Sequence, residues 1–505
     1  MFSSLKKVVV GLCLLVLACK GFSFALLGPP GAWQRAELAY TVTEAPMNLG
    51  EEYRWNVPVL TYAFDPAFIN YFGTNGMSEV EQAIKIMNDL PPTTLMSDAY
   101  LNTLPLNTRF VNAQASALNL FDIKSVALEE LVRFLGLASA EEFIWTLRDR
   151  RIIAGNPPIT NYTIIMRNFD PITFYPTNVV NGNAYTFQIT DDDRQTPQRD
   201  ALEVGPEFTS LSSLWISANA NSGPFGTVAP GPGPGPVPLT LTGEYYVGLT
   251  HDDVGGLRYL YRTNNFNVES LLGNITLAAP TATRTSTTPN SGSSPYNPVI
   301  GIITNIVGNT NVITTNFVAV NTALRGGVDK IVFKRVNYDL LLGNTLTPVT
   351  NFYNEKVLVQ TTNALGQITG PRFISQRLQR ISFGPDIIFT AGDLGVFNDT
   401  TPVALRIGST SGWINNSGIN HVASANLTLD GPGQITAPGV VDFSTIGPWF
   451  LESGGNGIVG PDPLGFGFVW ASFDGVSIRA IYPEYLNLTV TELEELYLQT
   501  QGRQP

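Results

Sequence analysis

Cysteine is nearly absent from this 505-residue chain: there are two, Cys13 and Cys19, both in the apolar stretch near the N-terminus. Lys6-Lys7, the apolar run 8–18 and Ser23-Phe24-Ala25 read together as a secretory leader, with small residues three and one before a cut after Ala25. Lipoprotein processing at Cys19 is the alternative, disfavoured by the large Leu17 ahead of Ala18. A chain beginning at Leu26 has no cysteine, so disulfides cannot hold it. Its stability must come from burial, which about 480 residues supply when divided into two or more domains.

Histidine is equally scarce. His251 and His421 are the only two, so a three-histidine zinc site cannot form within one chain. A site of two histidines and a carboxylate would need these distant residues to converge with no H-x-x-x-H spacing. Serine–histidine–aspartate catalysis would need one of the same two, and no G-x-S-x-G elbow is present. His251 reads as a polar first-turn residue of a helix, His421 as a strand or turn histidine, and zinc is not expected. Charge is sparse too: charged residues are 14% of the chain, against roughly 25% in typical soluble domains. The net charge of −12 becomes −15 once Lys6, Lys7 and Lys20 leave with the leader, which excludes nucleic acid as the expected partner. Abundant Asn, Thr, Ser and Gly fit an extracellular β-rich protein whose surface packs on a protein or cell-surface partner or on copies of itself. No segment after the leader reaches about 18 uninterrupted apolar residues, so no transmembrane span is expected in the mature chain.

What the first half contains is a set of local patterns. Val59-Leu60-Thr61-Tyr62-Ala63-Phe64 is strand-like and Asp65-Pro66 breaks it. Ser78 is the expected cap of a helix with apolar Val80, Ala83, Ile84, Met87 and Leu90 at helical spacing, ended by Pro91-Pro92. A second helix is expected over 125–135, where Glu129 precedes Arg133 by four residues, the favourable order for an ion pair worth roughly 0.2–0.5 kcal/mol when exposed. A third opens at Thr250, a good N-cap, with Asp252 and Asp253 in its first turn and Val254, Leu257, Leu260 and Tyr261 as the buried stripe.

In this order the three segments resemble the matrixin-type metzincins, a family of zinc proteases. The family's zinc helix reads H-E-x-x-H-x-x-G-x-x-H, and this chain offers Glu129, Glu130, Arg133, Gly136 and Ser139 on that frame. The strand Val59-Leu60-Thr61-Tyr62 and the dipeptide Met87-Asn88 resemble the family's opening. Leu249-Thr250-His251-Asp252-Asp253-Val254-Gly255-Gly256-Leu257-Arg258-Tyr259-Leu260-Tyr261 is similar to its closing helix. All three ligand histidines are replaced. A guanidinium at the second ligand position disfavours a dication, since charges about 4 Å apart interact by about 4 kcal/mol even at an effective dielectric near 20. The expectation is a Glu129–Arg133 pair standing where the metal would be. Glu130 stands at the position of the family's general base.

Departures accompany the match. About 110 residues separate Ser139 from Leu249, and Met166, in a strand-like setting, is not carried over as the family's Met-turn. This interval holds the loop-like Pro/Gly run 230–236 and Asp191-Asp192-Asp193, which has the chemistry for calcium but reads first as a solvated turn. Beyond a Thr/Ser/Pro-rich linker the chain turns to short β-branched runs separated by Asn/Gly turns. Candidate glycosylation acceptors are Asn161, Asn274, Asn398, Asn415, Asn426 and Asn487.

The expected organisation is a leader (1–25), a lead-in (26–54), an α+β metzincin-like domain with a long insertion (55–265), a linker (266–298), a mainly-β, sandwich-like region (299–490) and a C-terminal tail (491–505). The expected function is that of a secreted pseudoprotease with no cofactor, acting by binding or surface assembly. Alternatives are an extracellular structural or adhesive protein, or a non-zinc hydrolase pairing Glu130 with Glu129, Glu141, Glu142 or Asp149 as carboxylates.

Overall fold

The computed structural model describes residues 23–28, 45–138, 140, 145–156, 159–180, 183–184, 188–191, 201–204, 242–278, 302–306, 313–317, 322–339, 344–345, 347–362, 368–392, 403–411, 420–421, 427–428, 433–445 and 469–500. It opens with strand β1 (Phe24–Gly28), buried along its whole length. β1 pairs with Ala45–Met47 and with two later short strands. The cut expected after Ala25 therefore falls inside a buried strand. The lead-in also supplies β2 (Tyr53–Arg54).

Strand β3 (Val59–Phe64) is buried from Leu60 onward, the pattern of a strand covered on both faces. Asp65-Pro66 does more than break it. The Asp65 side chain accepts from Phe68 N at 2.9 Å and Pro66 takes the first helical position, so helix α1 (Pro66–Asp89) begins here, well ahead of Ser78. Gly73, at φ +58°, breaks α1 into two segments, and the Glu484 carboxylate fills the space that a side chain at Gly73 would occupy. Val80, Ala83, Ile84 and Met87 are buried, and the helix stops at Leu90 before the two prolines.

The chain continues through β4 (Arg109–Val111) and β5 (Leu120–Asp122) into helix α2 (Ile123–Phe134), β6 (Leu137–Ala138) and β7 (Asn168–Phe169), and returns at β8 (Glu244–Tyr246), which pairs antiparallel with β4. Helix α3 (His251–Tyr261) follows. Met166 ends the strand Ile159–Met166. The expected linker begins instead with β9 (Asn267–Ser270) and β10 (Ile275–Leu277), while residues 279–298 lie outside the described part. The remaining strands are β11 (Thr322–Arg325), β12 (Val332–Arg335), β13 (Val349–Thr362), β14 (Ile368–Ser382), β15 (Ile387–Gly392), β16 (Val403–Ser411), β17 (Gly433–Ser444), β18 (Val469–Phe473) and β19 (Ile478–Ile481). The expected tail is helix α4 (Val490–Thr500), begun by a reciprocal Thr489–Glu492 cap.

The halves expected to be separate domains share their central sheet. Its strand order is β12-β3-β15-β17-β16: β3 lies between β12 and β15, both parallel to it, and β16 is the antiparallel edge. β2 adds to β17, and β18 runs parallel to β5. The physical reason is that β3 is apolar on both faces and carries two rows of backbone donors and acceptors, which only strands from residues beyond 330 satisfy. Phe64, Phe68 and Phe72 from the first half pack against Phe389, Phe443, Trp470 and Tyr482 from the second, with ring centroids 5.1–6.5 Å apart. At the outer edge of the sheet, Asn88 acts as a one-residue strand: its amide donates to Phe333 O at 3.0 Å and accepts from Phe333 N at 2.7 Å.

A second, five-stranded sheet, β9-β11-β13-β14-β10, is tied to the first by buried ion pairs. Arg54 Nε lies 2.6 Å from Glu269, with both side chains fully buried, and its other nitrogens donate to the carbonyls of Leu260, Asn265 and Arg325. Arg380 pairs with Asp386, which also accepts from Thr61 of β3. Among the described residues no helix is long and apolar enough to cross a membrane.

Candidate functional site

Helix α2 carries the positions singled out by the sequence. Asp122 caps its start, accepting from Ser125 N at 3.0 Å and from Ser125 Oγ at 2.5 Å. Ser125 Oγ in turn accepts from Tyr246 N at 2.7 Å, which fixes β8 against the helix. The far end is held equally well. Trp55 Nε1 donates to Phe134 O at 2.9 Å and the Tyr261 hydroxyl to Leu135 O at 2.6 Å, so carbonyls left over at the helix end find partners from the lead-in and from α3. Gly136 follows at φ +104°, its carbonyl accepting from Leu27 N, and a Cβ there would meet Tyr53 O at 2.3 Å. Only glycine fits that close left-handed turn.

α2 is buried on every side rather than along one stripe: from Ser125 to Phe134 each residue is buried. Glu129 and Glu130 have no exposed surface and Arg133 is 8% exposed. The expected pairing changes. Arg133 Nη1 lies 3.3 Å from Glu130, three residues back, whereas neither carboxylate oxygen of Glu129 has a hydrogen-bond partner among the described residues. Residues three and four apart share a helix face, so either pair was open to Arg133; the surroundings of the helix decide between them.

The charges near Glu129 come from several elements. Burial pushes its carboxyl well above the usual range; Glu130 and Asp253 push the same way, and Arg133 and Arg109 oppose. Arg109 of β4 is ion-paired with Glu244 of β8. Asp253 closes a capping box on α3, accepting from Thr250 N at 2.8 Å and from Thr250 Oγ1 at 2.9 Å, while Thr250 Oγ1 accepts from Asp253 N. Asp252 accepts from Ser23 N at 2.9 Å and lies 3.0 Å from His251 Nδ1. Burial raises the Asp252 carboxyl, with His251 and Ser23 pulling it down. His251 is thus a buried partner of Asp252, whereas His421 sits on a separate two-residue strand, Asn420–His421.

α3 reaches the sheets through its two glycines. A Cβ at Gly255 would meet Pro171 at 2.2 Å, and one at Gly256 would meet Leu137 at 2.9 Å and Phe24 at 3.0 Å. Two adjacent glycines cost a helix interior about 1 kcal/mol each, and the close approach of β1 and Pro171 is what requires them.

Several expected site residues lie outside the described part: Ser139, Glu141, Glu142, Asp192 and Asp193, and the acceptors Asn398, Asn415 and Asn426. Asp149 falls on the strand Trp145–Ile153, Asn161 on Ile159–Met166, and Asp191 ends the strand Gln188–Asp191. Asn487 is exposed in a left-handed conformation just before the cap of α4, while Asn274 is half-buried with its Oδ1 3.5 Å from Arg380 Nε. Among the described residues no three His, Cys, Asp or Glu side chains converge as a metal-binding group. Sequence reasoning missed Asp122, Ser125, Arg109 and Glu244. The first two carry a legible signal, an N-cap Asp three residues before its Ser partner; an ion pair linking residues 109 and 244 leaves none. No protein-family model, curated protein or solved structure matches this chain.

Proposed function

We propose that the chain is a secreted, catalytically inactive relative of the metzincins, in which the former zinc helix serves as an internal girder and the function is partner binding or surface assembly. The observation that carries the reading is the complete burial of Glu129 and Glu130. A general base must come within about 2.6–3.2 Å of the proton it removes, directly or through one water, and a carboxylate with no exposed surface offers no route to a substrate. The same burial weighs against a carboxylate-pair hydrolase built on Glu130 and Glu129, which are sequence neighbours and so project from different sides of the helix.

The guanidinium of Arg133 pairs with Glu130 in the position where the family places a ligand, and Gly136 keeps the turn that ends the helix. Assembly with copies of the chain draws support from the five-stranded sheet, where Phe352 and Phe373 stand exposed with Phe266 beside Phe373, and from the low charge density.

The test is the metal content of the purified protein together with a general protease assay with and without chelator. The reading expects no stoichiometric zinc and no cleavage; about one zinc per chain with chelator-sensitive cleavage would refute it. Ancestry is tested separately by combining Glu129→His, Arg133→His and Ser139→His. A folded triple variant that binds zinc supports the metzincin geometry, and a folded one that does not counts against it.

A further inference from the structure

The N-terminal sequence reads as a leader ending at Ala25, but the fold points to another bond. β1 runs through the middle of its small sheet, pairing Phe24 with Phe169, Ala25 with both Asn168 and Ala138, and Leu26 with Met47 and Leu137. Ser23, Phe24, Ala25 and Leu26 have no exposed surface. The Phe24 ring lies 6.1 Å from that of Phe169 and 5.5 Å from that of Tyr259, and α3 approaches so closely that Gly256 has no room for a side chain beside it. One residue earlier, Ser23 N donates to the buried carboxylate of Asp252.

A cut after Ala25 removes all of this and adds a penalty. It empties the place of a fully buried aromatic ring, leaves Asp252 with His251 as its remaining partner, and creates a charged α-ammonium on Leu26, which is fully buried. Burying an unpaired charge in apolar surroundings is among the costliest changes a fold can undergo.

We infer that the leader is removed upstream of Ser23, by hydrolysis of the Ala18–Cys19 bond, so that the processed chain keeps β1 whole. Val16 and Ala18 stand three and one residues before that bond, the two positions at which a leader-removing peptidase selects compact side chains. Leu17 lies between them, where that rule makes no demand. Water adds across the bond, giving a carboxylate on Ala18 and an ammonium on Cys19.

The inference rests on the N-terminus being a leader, and the test separates the two. The full chain is expressed with its own leader in a secreting host, and the exported protein is examined by N-terminal sequencing and intact mass. The expected first residue is Cys19, whether its thiol is free or carries acyl mass. A first residue of Leu26 overturns the inference while sparing the leader; Met1 overturns both; any other first residue overturns the choice of bond. Ala18→Leu supplies a second reading on the same protein: loss of processing is expected, and unchanged processing overturns the inference.

Discussion

Glu129→Gln separates a buried charge from buried volume, because the two side chains have nearly the same shape. Both Glu129 oxygens are buried without a hydrogen-bond partner among the described residues, and burial, then Glu130, holds its carboxyl well above the ordinary value against the pull of Arg133 and Arg109. A carboxyl whose folded pKa lies above its unfolded one binds more protons in the native state. Its contribution to stability is therefore fully present below the unfolded value, near about 4.3, and is lost as pH rises through the folded value. Glutamine does not titrate. Near pH 4 both side chains are neutral and unpaired, so the variant should match the wild type within about 1 kcal/mol. Near pH 8 the wild type carries either an unpaired buried anion or the cost of holding a proton, and the variant should be more stable by about 1–3 kcal/mol. Urea unfolding at a series of pH values, followed by the fluorescence of the buried Trp55 and Trp470, measures the difference. Burial also raises Asp252 and Glu269 in both proteins, so only the difference between variant and wild type isolates Glu129. A difference that does not change with pH, or a variant less stable than wild type at pH 8, would refute the reasoning.

Asp122 gives a narrower window. Burial pushes its carboxyl from 3.8 up to about 6 against the opposing effects of Lys124, Ser125 and Phe473, so its contribution is present below the unfolded value and lost as pH rises toward 6. Asp122→Asn keeps a capping oxygen and should remove about 2 kcal/mol of pH dependence between pH 4 and 7; an unchanged slope in the same urea series counts against it. Arg54→Met strands the buried Glu269 carboxylate and should cost about 3–5 kcal/mol, part of it recovered by adding Glu269→Leu; a double-mutant cycle with no coupling would show that the pair is not a joint. Gly136→Ala forces a Cβ onto Tyr53 O at positive φ and should cost more than about 1 kcal/mol, read as a fall in urea midpoint. An unaltered midpoint would mean that the turn relaxes freely.

Much of the local structure was legible because its causes are local. The alternating and continuous apolar runs locate β3 and β15, the double proline stops α1, and Thr250 with Asp253 writes the capping box of α3 within four consecutive residues. Asp65-Pro66 was equally readable as a helix start, since an acid before proline at the first helical position is a local signature; its breaking of the strand is the same event seen from the other side. The Asp122 cap of α2 belongs to this class. The choice of Arg133's partner does not, because Glu129 and Glu130 both lie within reach along the helix and no spacing rule selects between them.

The sequence by itself determined the elements, the scarcity of ligand residues and the sparse charge, because each follows from residue type and short-range spacing. Only the tertiary structure decided that the two halves share one sheet, that α2 is buried on every side, and that Ser23 to Gly28 belong to the fold. β3 needs partners on both edges and Asp252 needs a donor, but local chemistry specifies only that such needs exist. Which distant strand or amide meets them depends on packing the whole chain at once.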